Sequence, residues 1–125
     1  MEYDDWKIYE CDNIRELIDR IKGYFSNLGE IKKYCKFLIL KDYVSDIEII
    51  SIICWFNFER GVIHFIGKIY IIDQTISEEY YKRVIKELLA CAFLNFEYIN
   101  YEIWKSENYY IFRGEVKPSE TTILH

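Results

Sequence analysis

Proline, alanine and glutamine are nearly missing from this chain of 125 residues: one proline (Pro118), two alanines (Ala90 and Ala92) and one glutamine (Gln74). A lone proline near the end and five scattered glycines leave no linker composition anywhere. The chain therefore reads as one domain over residues 1–118, followed by a loose tail at 119–125. The glycines form no phosphate-cradling loop, and there is no HExxH. Histidine is scarce too, with only His64 and His125. The four cysteines, at positions 11, 35, 54 and 91, include no CxxC, which excludes the paired ligands of a closed zinc site. No apolar run reaches the ~18 residues of a membrane-crossing helix. The start, MEYDDWKIYE, is acidic and lacks the apolar segment of a secretory signal. The expectation is a cytoplasmic protein with no metal, no cofactor and no membrane partner.

What the chain has is apolar and acidic. Hydrophobic residues make up 51% and aromatics 18%, enough to fold and too much for a disordered chain. An AT-rich genome produces such richness in isoleucine and tyrosine, and so would an archaeal hyperthermophile or one of its viruses. A net charge of −5 works against nucleic acid, whose binding draws on lysine and arginine, and favours a protein partner with a basic surface. The densest basic cluster, Lys32, Lys33 and Lys36, reads as a solvated strand entry. Cys54 and Cys91 sit in apolar runs and read as small buried hydrophobes. Cys11 and Cys35 pair only if the fold brings them together.

Residues 6–11, WKIYEC, suggest a short opening strand. Asn13 and Glu16 stand at capping-box spacing, with Asp12 as a rival cap. Ile14, Leu17, Ile18, Ile21, Phe25 and Leu28 then form one helical stripe that Gly29 ends. Strands are predicted at 33–40, 47–58 and 62–73. Gly61 suits the positive-φ position of the hairpin between the last two. Ser77 caps a second helix, SEEYYKRVIKELLACAFLNF, with Tyr81, Val84, Ile85, Leu88, Leu89, Ala92 and Phe96 on one face. A hairpin follows, its strands near 98–104 and 109–116 around KSEN. Strands joined by short loops pair antiparallel. The expected fold is α+β: one twisted antiparallel sheet of five to six strands, two helices packed on one face, in the order (β)αβββαββ.

The hairpin pair at 47–73, the capped helix SEEYYKRVIKELLACAFLNF and the hairpin EYINYEIWKSENYYIFRGEVKP together give an order that resembles type III secretion chaperones and related small chaperone-like domains. The resemblance covers about residues 13 to 117, in element order and without a signature residue. It departs in the extra first strand and in having no C-terminal helix. It implies a non-catalytic, often dimeric module that binds another protein chain.

Little in the chain points to catalysis. His64 shares a strand face with Lys68 and Tyr70, but no serine, cysteine or carboxylate is tied to it by spacing. Glu115-x-Lys117 matches the acid-x-lysine half of many metal-dependent nucleases. Chance placement gives about two such pairs in a chain of this composition, and Asp5–Lys7, Glu30–Lys32 and Glu115–Lys117 are what occurs.

The rings of the last third are the strongest feature. Tyr98, Asn100, Glu102 and Trp104 share one face of their strand; Ile99, Tyr101 and Ile103 share the other. Asn100 and Glu102 are costly to bury unpaired, so their face points outward. Nearby charges are mostly acidic (Glu97, Glu102, Glu107, Glu115), whereas base-stacking sheets interleave rings with arginine and lysine. The first strand of the 47–73 pair carries a related ambiguity: Ile47, Ile49, Ile53 and Trp55 lie on one face, and Ile50, Ile52, Cys54, Phe56 and Phe58 on the other. Curvature that rolls both faces inward explains this, and so does a dimer or partner covering one face.

The candidate partner-binding residues are Tyr98, Glu102, Trp104, Tyr109 and Tyr70. The expected protein is a small acidic non-enzyme that binds another protein, as an inhibitor, immunity or chaperone-like protein, and forms a homodimer. Immunity proteins of toxin systems and virus-encoded inhibitors share this size, acidity and lack of motifs. The alternatives are a nucleic-acid-associated regulator using the hairpin aromatics and a metal-dependent carboxylate enzyme.

Overall fold

The computed structural model describes residues 7–26, 35–57, 59–93 and 96–119. Along the chain come β1 (Lys7–Cys11), α1 (Ile14–Ser26), β2 (Cys35–Asp42), β3 (Ile47–Asn57), β4 (Val62–Tyr70), α2 (Glu78–Ala92), β5 (Phe96–Ser106) and β6 (Tyr109–Pro118). The α+β order is the expected one. The sheet runs β1-β2-β3-β4-β6-β5. Strands β2 to β6 are antiparallel throughout, and β1 adds to the edge parallel to β2, which the α1 crossover permits. β6 turns back into the gap between β4 and β5, leaving β5 on the outside.

Local chemistry sets the helices. The Asn13 side chain accepts from the Glu16 N–H at 2.9 Å, and the Glu16 carboxylate accepts from the Asp12 N–H at 2.8 Å. This is a capping box displaced by one residue at its return arm. The stripe behind it buries Leu17 and Ile21 but leaves Ile14 exposed. The described helix ends at Ser26, so Leu28 and the expected stop at Gly29 lie outside the described residues. α2 starts at its Ser77 cap, whose side chain accepts from the Tyr80 N–H. It ends at Ala92, four residues before the Phe96 that its stripe suggests. Phe96 is therefore not part of the helix face: it opens β5 and is exposed.

Both helices cover one face of the sheet. Leu17 and Ile21 of α1 join Tyr81, Ile85, Leu88, Leu89 and Ala92 of α2 over Ile52, Cys54, Phe65 and Phe112. Each leucine, isoleucine or phenylalanine among these contributes about 1.5–3 kcal/mol when fully buried. Gly67 is required here, because a Cβ would meet the Phe112 ring and Ile52. At Gly114 a Cβ would run into the backbone of Asn100 and Tyr101, so the two hairpin strands close up there.

The turns follow their residues. Gly61 takes φ 63° between β3 and β4, as expected. The expected KSEN turn narrows to Glu107 and Asn108, with Glu107 at φ 55°. The cysteine expectations need correction. Cys54 is buried, but Cys91 is exposed because it falls on the outer side of α2. Cys11 is buried instead, and burial first, then Glu16, raises its thiol pKa. Cys11 lies opposite Leu40 in the β1–β2 register. That puts it five strand positions from Cys35, roughly 16 Å at 3.3 Å per residue and beyond disulfide reach. Ser119 is the one described residue of the 119–125 tail.

Candidate functional site

Strand alternation sends every second side chain to the face without helices. On β3 these are Ser51, Ile53, Trp55 and Asn57; on β4, His64, Ile66, Lys68 and Tyr70. β6 adds Tyr109, Ile111, Arg113, Glu115 and Lys117, and β5 adds Tyr98, Asn100, Glu102 and Trp104. The face is not uniformly bare. Ile39 and Ser51 are buried, Ile53 and Trp55 are half-buried, and Ile49 packs against the core. Exposed apolar groups collect toward the β5 edge: Ile66 at 38%, Trp104 at 37% and Tyr98 at 36%. The two apolar faces of β3 are thus partly rolled inward, with register shifts at Leu40/Lys41 and Phe96/Tyr98 marking where the sheet bends.

One end of the open face is a clamp. Arg60 grips Glu115 with two parallel bonds, Nη1 to Oε1 at 3.0 Å and Nη2 to Oε2 at 2.8 Å. The Tyr98 hydroxyl donates to Glu115 Oε2 at 3.0 Å. The Arg60 bonds, helped by Tyr98, hold the Glu115 carboxyl below its ordinary pKa, and the same carboxylate raises that of Tyr98. Lys117 Nζ donates to the backbone carbonyls of Gly61, at 3.2 Å, and Arg60. Glu115 and Lys117 together tie the β3–β4 loop to β6. That is a structural use for the pair that matched half of a nuclease motif.

The other end is aromatic and cationic. Arg113 lies over the Trp104 ring at 5.4 Å and is pinned by Glu102, Nε to Oε1 at 2.6 Å. Lys68 lies over Tyr109 at 4.5 Å, and Tyr109 meets Tyr70 edge-on at 5.5 Å. Between the two ends runs an open trough of about 550 Å³, with Trp55 and His64 on one side and Asn100 and Glu102 on the other. His64 stacks on Trp55 at 5.3 Å, with Nε2 3.3 Å from Asn57 Nδ2. Among the described residues, no carboxylate or hydroxyl stands in hydrogen-bond contact with the imidazole.

All five sequence candidates fall on this face, in two groups. Glu102, Trp104, Tyr109 and Tyr70 gather around Arg113 and Lys68. Tyr98 stands six residues from Trp104 along β5, roughly 20 Å away, in the Arg60–Glu115 clamp. Sequence reading missed Arg60, Arg113 and Ile66 as members of the face, and it grouped Trp55 with Ile53 without deciding which side of their strand is open. Ile66, Lys68 and Tyr70 alternate visibly, but that β4 borders β6 rather than β5 has no local signal. Among the described residues, no group of three His, Cys, Asp or Glu is placed to hold a metal ion, and no helix is long and apolar enough to cross a membrane.

Compared with protein-family models, curated proteins and solved structures, the chain matches none.

Proposed function

We propose that the protein is a non-catalytic binding module for another protein chain, docking it on the open face between β4 and β5. The observation that carries this reading is the set of open-face rings already held in place: exposed Trp104 beneath Arg113, which Glu102 pins, and half-buried Tyr109 beneath Lys68. Tryptophan, tyrosine and arginine are the residues that dominate protein interfaces. Rings fixed before contact lose little entropy on binding. The trough beside them accepts a side chain of the partner. Inhibition, neutralisation as an immunity protein, and chaperoning are the roles a module of this kind performs.

The charge of the face narrows the partner. The chain as a whole is acidic, but over β4, β6 and β5 the face sets Arg60, Lys68, Arg113 and Lys117 against Glu102 and Glu115. The overall charge of −5 steers a basic protein toward the molecule. At the face itself, acidic or hydrogen-bond-accepting groups fit opposite Lys68. A second reading draws on the same interleaving of rings with Lys68 and Arg113: a single nucleic-acid strand stacked across the face.

The deciding experiment is capture from native-host extract by wild type, Trp104→Ala and Arg113→Ala, followed by affinity measurement with the purified captured protein. The proposal expects a protein held by wild type and released by both variants, with no change in their folding. Retention of the same proteins by all three overturns it. Binding of a single-stranded oligonucleotide that weakens steeply with salt selects the second reading.

A further inference from the structure

The outer edge of β5 has no neighbouring strand among the described residues. It carries no proline, and seven of its eleven residues are exposed, so its backbone groups form a template for another strand. Ser106 and Tyr109 close a two-residue turn as a hydrogen-bonded pair. Alternation then turns the N–H and C=O groups of Ile99, Tyr101 and Ile103 away from β6 and toward the open edge.

The sequence of this strand, FEYINYEIWKS, is nearly symmetric in character about Tyr101. We propose that two copies of the chain pair β5 to β5, antiparallel, about a two-fold axis through Tyr101. Residues equidistant from the axis then stand opposite each other: Ile99 with Ile103, Tyr98 with Trp104, Asn100 with Glu102, and Glu97 with Lys105. Branched chain meets branched chain, ring meets ring, amide meets carboxylate and acid meets base, each a favourable cross-strand pair. The symmetry forms every pair twice. Moving the axis by one residue toward the turn sets Glu102 against Glu102. Moving it the other way sets Glu97 against Ile103. Both are poorer, so the charges select the register.

Glu97 stands at the bulge opposite no residue of β6, and both it and Lys105 are exposed. Their side chains are available to a second copy. The pairing joins the two sheets into one and makes their open faces continuous, with Trp104 of one copy beside Tyr98 of the other. This contact uses the backbone edge of β5, and it brings Trp104 and Tyr98 of the docking face proposed above to the seam between the copies.

Sedimentation equilibrium from low to high micromolar concentration should give twice the 15.3 kDa of the chain. Lys105→Glu places two carboxylates opposite each other at both ends of the pairing and should weaken the dimer about tenfold. Glu97→Lys should do the same. Glu97→Lys combined with Lys105→Glu restores opposite charges and should restore the dimer. Because both side chains are exposed, far-UV circular dichroism should show every variant folded. A monomer at all concentrations overturns the proposal. A dimer indifferent to both single reversals, or one that the double exchange fails to rescue, overturns this register.

Discussion

The two faces of the sheet take their side chains from the same strands in alternation, yet they use their aromatic rings in opposite ways. On the helix-covered face Phe65 packs against Phe112 and Phe93, with ring centroids 6.3 and 5.3 Å away, and Tyr81 stacks on Tyr110. These rings meet other rings and aliphatic chains, and their contribution is area removed from water. On the open face the rings meet cations: Arg113 over Trp104 and Lys68 over Tyr109. A cation over an exposed ring is worth about 0.5–1 kcal/mol, far less than burying the ring. The open face is therefore shaped by orientation more than by stability, which is what separates the core from the docking face we propose.

The sharpest test of that contrast lies in the core. Phe112→Ala should cost about 3–5 kcal/mol in urea unfolding, since the ring is fully buried over Gly67. Gly67→Ala should cost about 1–3 kcal/mol by overpacking against the same ring and Ile52. Neighbours on β5 then separate the two faces directly. Ile103→Ala, on the covered side, should lose about 2 kcal/mol of stability. Trp104→Ala should lose under about 1 kcal/mol of stability but about 2 kcal/mol of partner affinity, roughly thirtyfold. A thermal melt in which Trp104→Ala falls further than Ile103→Ala would mean the faces are reversed.

Cysteine replacement gives a smaller effect. Cys11→Ser and Cys54→Ser should each cost about 1–2 kcal/mol, while Cys91→Ser, on the wet side of α2, should stay within about 0.5 kcal/mol by denaturant titration.

The smallest effect is in the clamp. Arg60 lowers the Glu115 pKa in the folded state, so the clamp's stabilisation is present above the ordinary carboxyl range near ~4.3 and is lost as pH falls through the folded value. The stability gap between wild type and Arg60→Ala should be largest near neutral pH and close on acidification below about pH 4. A gap that widens toward acid would exclude the clamp as its source.

The helices were legible because their signals are local. Asn13 and Ser77 cap the helices that follow them, and the stripes over Leu17–Ile21 and Tyr81–Ala92 are the stripes that pack. Gly61 turned where a positive φ was needed. Cys91 misled because an apolar neighbourhood in sequence says nothing about which side of a helix a residue takes. One turn of α2 puts Leu88 and Ala92 inside and Cys91 outside. The clamp was out of reach for a different reason. Arg60 and Glu115 are 55 residues apart, and nothing near either one names the other.

By itself the sequence determined the α+β order, the helix starts, the alternation of each strand and the outward direction of Trp104, all of which depend on residues within a few positions of one another. Only the tertiary structure decided that β6 lies between β4 and β5, that β1 joins parallel, and that Lys68 and Arg113 reach the rings of the hairpin. Strand order comes from how α2 carries the chain across the sheet and from which edge is open when β6 returns. It is a competition among pairings distant in sequence, and alternation supports each of them equally well.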